Sequence, residues 1–355
     1  MIKSIQMLTG LSLLIGAVAA CSNPAETTVD DATAAEPQKV LTIYSSRHYD
    51  SDKALYAMFE EETGARLDVR EAGASQLLET LKAESDQSPA DIIMAADAGS
   101  LWRFKDAGLT QPIESDALNA AVPESYRASD GHWYGVARRV RGIAYDPARW
   151  NAGELSTWDT LAQEDKAGEI CVRSSSNIYN LSLMSELIDR YGEEAAQTWA
   201  TAIVENMARN PQGGDTDQIR AIAAGECSIA IVNHYYWIRL GASESEADQQ
   251  VAASTAFVVP EFVEGSGSHV NITGIAVTKT ADDLELVEAF AAFLLTETGQ
   301  SYITRDTKEL PLLASTPLPE GVDKVPTFRP SDTHLDVYGE NQADAQRLFD
   351  LAGWN

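Results

Sequence analysis

The stretch that decides the fold is Cys227-Ser228-Ile229-Ala230-Ile231-Val232-Asn233-His234-Tyr235-Tyr236-Trp237. Residues 227–232 form a short apolar run of the kind that makes a buried strand. The chain then reads as a helix around residue 238, so Asn233 lies at a strand-to-helix turn, where it can serve as N-cap. Two tyrosines thus follow the C-terminal end of a strand, which is the usual ligand position in open α/β sheets.

The Tyr235-Tyr236 pair alone does not identify a ligand site. Adjacent side chains point to opposite faces of a strand, whereas at a turn or in a first helical turn both can lean toward one point. A phenol has a pKa of about 10, so it becomes an anionic oxygen ligand only beside strong positive charge. A helix N-terminus or a bound cation supplies such charge. The alternative is that both rings are amphipathic wall residues.

Strands and helices alternate along the rest of the chain. Strands are predicted at 40–44, 66–70 and 90–94, with helices between them, and this order is typical of a parallel sheet covered on both faces. The second half repeats the alternation. The extended runs at 136–145 and 269–277 are predicted to cross between two domains.

The length of 355 residues exceeds the usual size of a single core. We therefore predict an α/β protein with two lobes, each a mostly parallel sheet flanked by helices, and a ligand cleft between the lobes. The predicted division places 40–138 and 268–308 in lobe 1, and 139–267 and 309–355 in lobe 2.

The first twenty residues, 1–20, look like an export signal. Lys3 precedes a mostly apolar run that is too short to span a bilayer and that ends in small residues before Cys21. The pattern is similar to a bacterial lipoprotein signal, in which Cys21 becomes the lipidated first residue; an ordinary cleaved signal is the alternative. Residues 21–39 have almost no large apolar side chains and are predicted to form a flexible tether. Either way we expect export to the periplasm, with a lipid anchor to a membrane in the first case.

The formal net charge is −28 at pH 7, in a chain with 44% hydrophobic and 23% charged residues. The composition is that of a soluble globular protein, and we expect a monomer. So acidic a surface argues against a nucleic-acid partner, because phosphates are bound by Lys and Arg. A salty habitat is a sufficient explanation of the charge.

Besides Cys21 the chain has Cys171 and Cys227, each in a strand-like run. In an oxidising compartment this remaining even pair predicts a disulfide between neighbouring strands. Two buried free thiols are the alternative, since the sequence does not give the Cα separation that a disulfide requires.

The sequence lacks the familiar catalytic spacings G-x-S-x-G, H-E-x-x-H, C-x-x-C, G-x-G-x-x-G and the P-loop. We therefore predict a binding protein and not an enzyme. Two rival functions stay open. One is a binder of a small organic or anionic solute that stacks on the tyrosines, and the other is a periplasmic hydrolase that uses a pair such as Asp97 and Asp215.

Five candidate metal ligands follow the C-terminal ends of predicted strands. They are His48 and Tyr49 in one loop, Tyr179 in a second, and Tyr235 with Tyr236 in a third. A cleft between the two domains would bring the three loops together. Anionic oxygen ligands suit a hard, highly charged cation, and three phenolates neutralise a trivalent one, which points to Fe(III).

A fourth phenolate leaves a surplus negative charge on such a site. Arg47, Arg173 and Arg239 are the candidate outer groups that balance it. Taken singly, Tyr179 also fits a helix-packing residue, and His48 fits a polar loop residue.

Six motifs are spread over nearly the whole of residues 40–355. They are Ser45-Ser-Arg-His-Tyr49, Arg173-Ser-Ser-Ser-Asn-Ile-Tyr-Asn180, Pro211-Gln-Gly-Gly-Asp-Thr-Asp-Gln218, Asn233-His-Tyr-Tyr236, His269-Val-Asn-Ile-Thr-Gly274 and Gly339-Glu-Asn-Gln342. Together they resemble the periplasmic ferric-iron-binding proteins of bacterial ABC importers, in particular the cyanobacterial-type FutA group.

The resemblance implies a two-lobed, transferrin-like type II periplasmic binding fold. It implies Fe(III) in the cleft between the lobes and delivery of the metal to an inner-membrane ABC permease. The ligand role carries over to Tyr49, Tyr179, Tyr235 and Tyr236, with His48 a ligand in some members only. A related group uses a Glu ligand together with bound phosphate or carbonate, and this sequence has no matching Glu.

Overall fold

The structure, a computed structural model, describes residues 38–355. The predicted signal segment 1–20, the predicted lipidation residue Cys21 and the tether up to residue 37 lie outside the described residues. Within 38–355 there is no helix that combines the length and the apolar character needed to cross a bilayer.

The described part of the chain alternates between strands and helices. The strands are β1 (Val40–Ser45), β2 (Arg66–Glu71), β3 (Ile92–Ala96), β4 (Thr110–Gln111), β5 (Trp133–Tyr145), β6 (Ile170–Cys171), β7 (Ile229–Asn233), β8 (Ala256–Val258), β9 (Val270–Thr278) and β10 (Leu310–Pro311). The helices are α1 (Asp50–Thr63), α2 (Ala74–Glu84), α3 (Ala98–Asp106), α4 (Asp116–Ala121), α5 (Ile178–Tyr191), α6 (Glu193–Asn206), α7 (Asp215–Ala223), α8 (His234–Gly241), α9 (Glu246–Ala253), α10 (Leu284–Leu294), α11 (Glu297–Arg305), α12 (Val337–Glu340) and α13 (Gln342–Ala352).

Local sequence signals set several helix ends. Gly64 ends α1 with a φ of 72°, a left-handed conformation that glycine adopts without steric cost. Asp97 begins α3, where its carboxylate accepts a hydrogen bond from the N–H of Gly99. Asn177 caps α5 in the same way and so places Tyr179 in the first turn of that helix.

The strands form a mixed sheet with the order β2-β1-β3-β9-β5-β7-β6. β1 pairs in parallel with β2 and β3, and β6 pairs in parallel with β7. β5 and β9 run antiparallel to each other and to β7 and β3 beside them. The expectation of mostly parallel lobe sheets is therefore wrong, because the two crossing strands run against their neighbours.

β5 links the two halves of the sheet. Up to Val140 it pairs with β9, and from Arg141 onward it pairs with β7. Gly142 lies just beyond this change of partner. A Cβ atom on Gly142 would lie 2.6 Å from the carbonyl oxygen of Val258, so the close approach of β8 at this point requires glycine.

The apolar core has two large parts. The first surrounds β1, β3 and β9 and includes Leu41 and Phe290. The second surrounds α5 and α6 and includes Trp158 and Trp199.

The C-terminal tail contributes to both parts of the core. Leu310, Leu312 and Tyr338 pack in the first, whereas Leu348 and Phe349 of α13 pack in the second. The lobe limits at 138, 267 and 308 stay predictions.

Candidate metal centre

His48 and Tyr49 lie in the short loop between β1 and α1. The N–H of Arg47 donates to Ser45 Oγ at 3.0 Å, which turns the chain directly after the strand. Tyr49 is half-buried and immediately precedes α1, whereas His48 is exposed. The two rings are stacked, with centroids 5.2 Å apart.

A disulfide and a helix cap place Tyr179. Cys171, the last residue of β6, is bonded to Cys227 just before β7, with the Cα atoms 5.9 Å apart. Asn177 Oδ1 accepts a hydrogen bond from the N–H of Tyr179 at 3.1 Å. The start of α5 is therefore held close to the strand that leads into α8.

Asn233 ends β7 and holds the turn into α8. Its N–H donates to Asp215 Oδ2 at 2.8 Å. Its side chain accepts from Arg141 Nη1 at 3.1 Å and donates to the hydroxyl of Tyr235 at 3.3 Å. Asn233 thus occupies the N-cap position, but the expected side-chain cap is wrong because that side chain is engaged with Arg141 and Tyr235.

Three tyrosines meet at the carboxyl ends of β6 and β7. The hydroxyl of Tyr235 donates to the hydroxyl of Tyr179 at 3.2 Å. The ring centroids of Tyr235 and Tyr236 are 4.4 Å apart. Tyr235 is buried, whereas Tyr179 and Tyr236 are half-buried. The structure thus brings three of the predicted ligands together.

Tyr49, in the loop between β1 and α1, lies beside this cluster. The Cζ atom of Arg239 on α8 lies 5.6 Å from the centroid of the Tyr49 ring, and that of Arg47 lies 5.3 Å from it. Burial and then Glu309 raise the pKa of Tyr49, and Tyr236 raises it further. The phenols of Tyr49 and Tyr236 are therefore within electrostatic reach of each other.

Two arginines lie against the rings of the three-tyrosine cluster. The Cζ atom of Arg139 is 5.8 Å from the ring centroids of both Tyr179 and Tyr235. That of Arg173 is 5.6 Å from Tyr179. Contacts of this kind are favourable because a cation is attracted to the face of an aromatic ring. Arg173 was among the outer groups predicted from the sequence, whereas Arg139 was not. The only indication of Arg139 in the sequence is its position in an apolar run that contains two other arginines.

Asp215 fixes the arginines behind Tyr179. It accepts from Arg141 at 3.2 Å and from Arg173 at 3.1 Å, and its side chain is completely buried. Because it also accepts from the N–H of Asn233, this one carboxylate joins β5, β7 and the loop after β6. A buried pair of this kind holds its members in fixed geometry.

Glu309 holds a second pair of arginines, one of them next to Tyr49. It accepts from Arg139 at 2.6 Å and from Arg47 at 3.1 Å, and all three side chains are buried. Burial alone would raise the pKa of Glu309, but Arg139 and Arg47 bring it below its ordinary value. Glu309 was not recognised in the sequence because its partners are distant along the chain.

The phenols of Tyr235 and Tyr236 resist ionisation in the protein alone. Burial raises the pKa of Tyr235 well above its ordinary value, Tyr179 and Tyr236 raise it further, and Arg139 lowers it. Burial likewise raises the pKa of Tyr236. At neutral pH these groups are therefore neutral until a strong positive charge lies at their oxygen atoms.

His234 takes no part in the phenol cluster, although it is the neighbour of Tyr235. Its Nδ1 accepts from the N–H of Val140 at 3.2 Å, and its Nε2–H donates to the carbonyl oxygen of Lys308 at 3.0 Å. Burial lowers the pKa of His234 to about 4. The ring is therefore neutral at neutral pH, with both nitrogens engaged.

Asp97 and Asp215, the pair considered for a hydrolase, are both fully buried and engaged. Asp97 accepts from Ser182 Oγ at 2.7 Å and from Asn271 Nδ2 at 2.9 Å. Within 38–355 no group of three or more His, Cys, Asp or Glu residues could hold a metal ion.

Comparisons with known proteins agree with this architecture. Residues 87–332 match the family model described as bacterial extracellular solute-binding protein. Iron uptake protein A1 of Synechocystis is 38% identical over 348 residues, covering 98% of this chain and 96% of that protein.

Solved structures agree as well. FutA of Trichodesmium, in complex with iron and citrate, superposes with a TM-score of 0.87 at 40% identity, over 89% of this chain and all of that one. The ferric binding protein of Campylobacter jejuni gives 0.83 at 33% identity, over 89% of this chain and 100% of that chain.

The predicted two-lobed α/β class, the resemblance and the absence of enzymatic function are thereby confirmed. The match to the family model spans more than half of the chain. Together with the similarity to a periplasmic Fe(3+)-binding protein of Serratia marcescens, it places the chain among proteins that act outside the cytoplasm. The chain belongs to the bacterial extracellular solute-binding protein family, within its FutA-like group of ferric-iron-binding periplasmic proteins.

Proposed function

We propose that this protein captures Fe(III) with phenolate oxygens from both sides of a cleft. The ligands are Tyr49, Tyr179, Tyr235 and Tyr236, and His48 is the additional ligand of the Tyr49 loop. The observation that carries the proposal is the 3.2 Å hydrogen bond between the hydroxyls of Tyr235 and Tyr179. A trivalent cation at this point would displace the protons of both hydroxyls to solvent and bind both oxygens.

The charges around the cluster favour a small trivalent cation. Hard cations prefer anionic oxygen ligands, and four phenolates exceed the charge of Fe(III) by one. Arg173 and Arg239 lie within 5.6 Å of the Tyr179 and Tyr49 rings, so they balance the surplus. Arg47, at 5.3 Å from the Tyr49 ring, adds to this balance.

Capture is followed by closure and delivery. Iron that contacts both lobes favours the closed arrangement of the two crossing strands, since a ligand shifts the equilibrium toward the state it binds better. The relatives include a probable ABC transporter periplasmic-binding protein, and the loaded protein is proposed to dock as a monomer on an inner-membrane ABC permease. Lipidation at Cys21 keeps it at a membrane, and mass spectrometry of the mature N-terminal peptide tests that modification.

The test of iron binding is a titration of the purified protein with ferric citrate. We expect a visible tyrosinate-to-iron absorption band that saturates at one iron per chain and is lost in a Tyr235→Phe/Tyr236→Phe variant. Tyr191→Phe is the matched control, because this tyrosine ends α5 about 18 Å from Tyr179. A wild-type protein that stays colourless, or that carries an organic solute by mass spectrometry, contradicts the proposal.

A further inference from the structure

The dipeptide Lys308–Glu309 touches two of the three ligand-bearing elements of the candidate metal centre. The carbonyl oxygen of Lys308 accepts from Nε2–H of His234, which begins the helix that carries Tyr235. The carboxylate of Glu309 accepts from Arg47 Nη1 at 3.1 Å, in the loop that carries Tyr49. Two adjacent residues thus connect elements that lie nearly two hundred positions apart in the sequence.

Glu309 is also bonded to both crossing strands. It accepts from Arg139 of β5 at 2.6 Å and from Thr273 Oγ1 of β9 at 2.7 Å. Arg139 lies directly before Val140, the last residue of β5 that pairs with β9. The carboxylate therefore joins the two strands close to the point where the chain passes between the halves of the sheet.

The backbone around this dipeptide is held in an unusual shape. Lys308 has a φ of 62°, a left-handed conformation that is uncommon for residues other than glycine. Its N–H donates to the carbonyl of Thr304 at 2.8 Å, and the N–H of Glu309 donates to Thr307 Oγ1 at 3.2 Å. Such conformations persist where surrounding contacts determine them, and they are frequent at functional sites.

We propose that Glu309 is a positioning residue that couples the Tyr49 loop and the two crossing strands to the Tyr235–Tyr236 helix, so that iron bound by one lobe closes the other onto it. The inference rests on the proposed function. Glu309 touches no ligand oxygen in this account; it acts through Arg47, Arg139 and the Lys308 carbonyl.

The loss of affinity alone does not separate a positioning role from a simple charge effect. Glu309 is a buried negative charge, so Glu309→Gln also weakens the attraction of the site for a cation. The readout that separates the two roles is the contraction of the protein at saturating iron. Loss of a charge leaves this contraction intact, whereas loss of a positioning contact reduces it.

The experiment compares Glu309→Gln with the wild type and with Glu84→Gln. Glu84 is the control, since it also accepts from an arginine, Arg70, at 3.0 Å, and its other hydrogen-bond partners, Tyr44 and Ser88, are not candidate ligands. Iron affinity is measured by competition with citrate, and closure by the contraction in small-angle X-ray scattering on addition of iron. We expect Glu309→Gln to bind iron about 10–100-fold more weakly and to lose most of the contraction, as losses of outer groups at metal sites do.

Several outcomes overturn the inference. The inference is wrong if Glu309→Gln binds iron within twofold of the wild type or more tightly. It is also wrong if this variant contracts fully at saturating iron, or if only its melting temperature falls while iron binding is unchanged. A wild-type protein that binds iron without contracting also overturns it. A wild-type protein that binds no iron removes the proposed function as well, so the two failures are distinguishable.

A second variant is available if Glu309→Gln does not fold. Thr273→Val keeps the shape of the side chain and removes the hydroxyl that donates to Glu309 and accepts from Arg139. We expect an affinity loss in the same direction, about threefold to tenfold, because one of the hydrogen bonds to Glu309 is lost. Unchanged affinity in this folded variant counts against the role of Glu309.

Discussion

The hydroxyl of Tyr235 donates a hydrogen bond to the hydroxyl of Tyr179, with 3.2 Å between the two oxygen atoms. The first belongs to the helix that follows β7, and the second to the helix that follows β6. Two phenol oxygens from different helices therefore lie within hydrogen-bond distance of each other at the edge of the sheet. This relationship is what makes a metal site the best account of the cluster.

Replacing Tyr179 by Phe removes one of the two oxygens and keeps the ring. We expect the affinity for Fe(III), measured by competition with citrate, to fall at least tenfold, because an anionic ligand is lost while the fold is kept. The absorption band should shift, since fewer phenolates remain on the iron. Unchanged affinity and an unchanged band would exclude Tyr179 as a ligand.

Iron binding should release protons and weaken as the pH falls. Burial raises the pKa of Tyr235 and Tyr236, so both are protonated before iron arrives, and iron must displace their protons. In weakly buffered solution with a pH indicator we expect about three to four protons per iron bound. Release of less than one proton per iron would mean that neutral groups hold the metal.

The same raised pKa values predict how the iron-free protein responds to alkali. The neutral phenols of Tyr235 and Tyr236 are favoured by the folded state, so their contribution to stability is present below their ordinary pKa of about 10 and is lost as the pH rises through the folded values. Chemical unfolding between pH 8 and about pH 11 measures this loss. Stability that rises over this range contradicts the assignment of buried neutral phenols.

Asp215→Asn should destabilise the protein strongly. The substitution leaves the buried guanidinium of Arg141 without its ion-pair partner, and breaking a buried pair in this way costs about 3–5 kcal/mol. The free energy of unfolding from urea titration measures the effect. The matched control is Asp248→Asn, whose partner Arg220 is exposed and where we expect little change.

The Cys171–Cys227 disulfide should also contribute to stability. It closes a loop with a sequence separation of 56, for which the chain-entropy model gives about 4 kcal/mol. We expect the Cys171→Ser/Cys227→Ser variant to unfold at lower urea concentration, and reduction of the wild type to have the same effect. Identical unfolding curves with and without reductant would show that the bond is irrelevant to stability.

The sequence was sufficient for the longer strands and for placing the tyrosines after strand ends, whereas the short strands β4, β8 and β10 were not predicted. The apolar run that became β7 is fully buried, and parallel strands bring the loops at their carboxyl ends to one edge. The extended run at 136–145, apolar apart from three arginines, likewise predicted the crossing strand β5.

What the sequence did not reveal depends on contacts between distant residues. Arg139 and Glu309 are 170 positions apart, and no local spacing links them. The antiparallel pairing of β9 was not predicted for the same reason. The direction of β9 in the sheet is set by its neighbours β3 and β5 and not by its own residues. The role of His234 was not predicted, because a histidine directly before two candidate ligands gives no sign that its ring contacts Val140.

The most direct test of the account is the position of iron in crystals of the loaded protein, located by anomalous scattering at the iron edge. We predict a single strong peak within bonding distance of the phenol oxygens of Tyr179, Tyr235 and Tyr236 in the second lobe and of Tyr49 in the first. A peak held by carboxylates elsewhere, or one that Tyr49 does not reach, contradicts the claim that phenolates from both lobes enclose the metal.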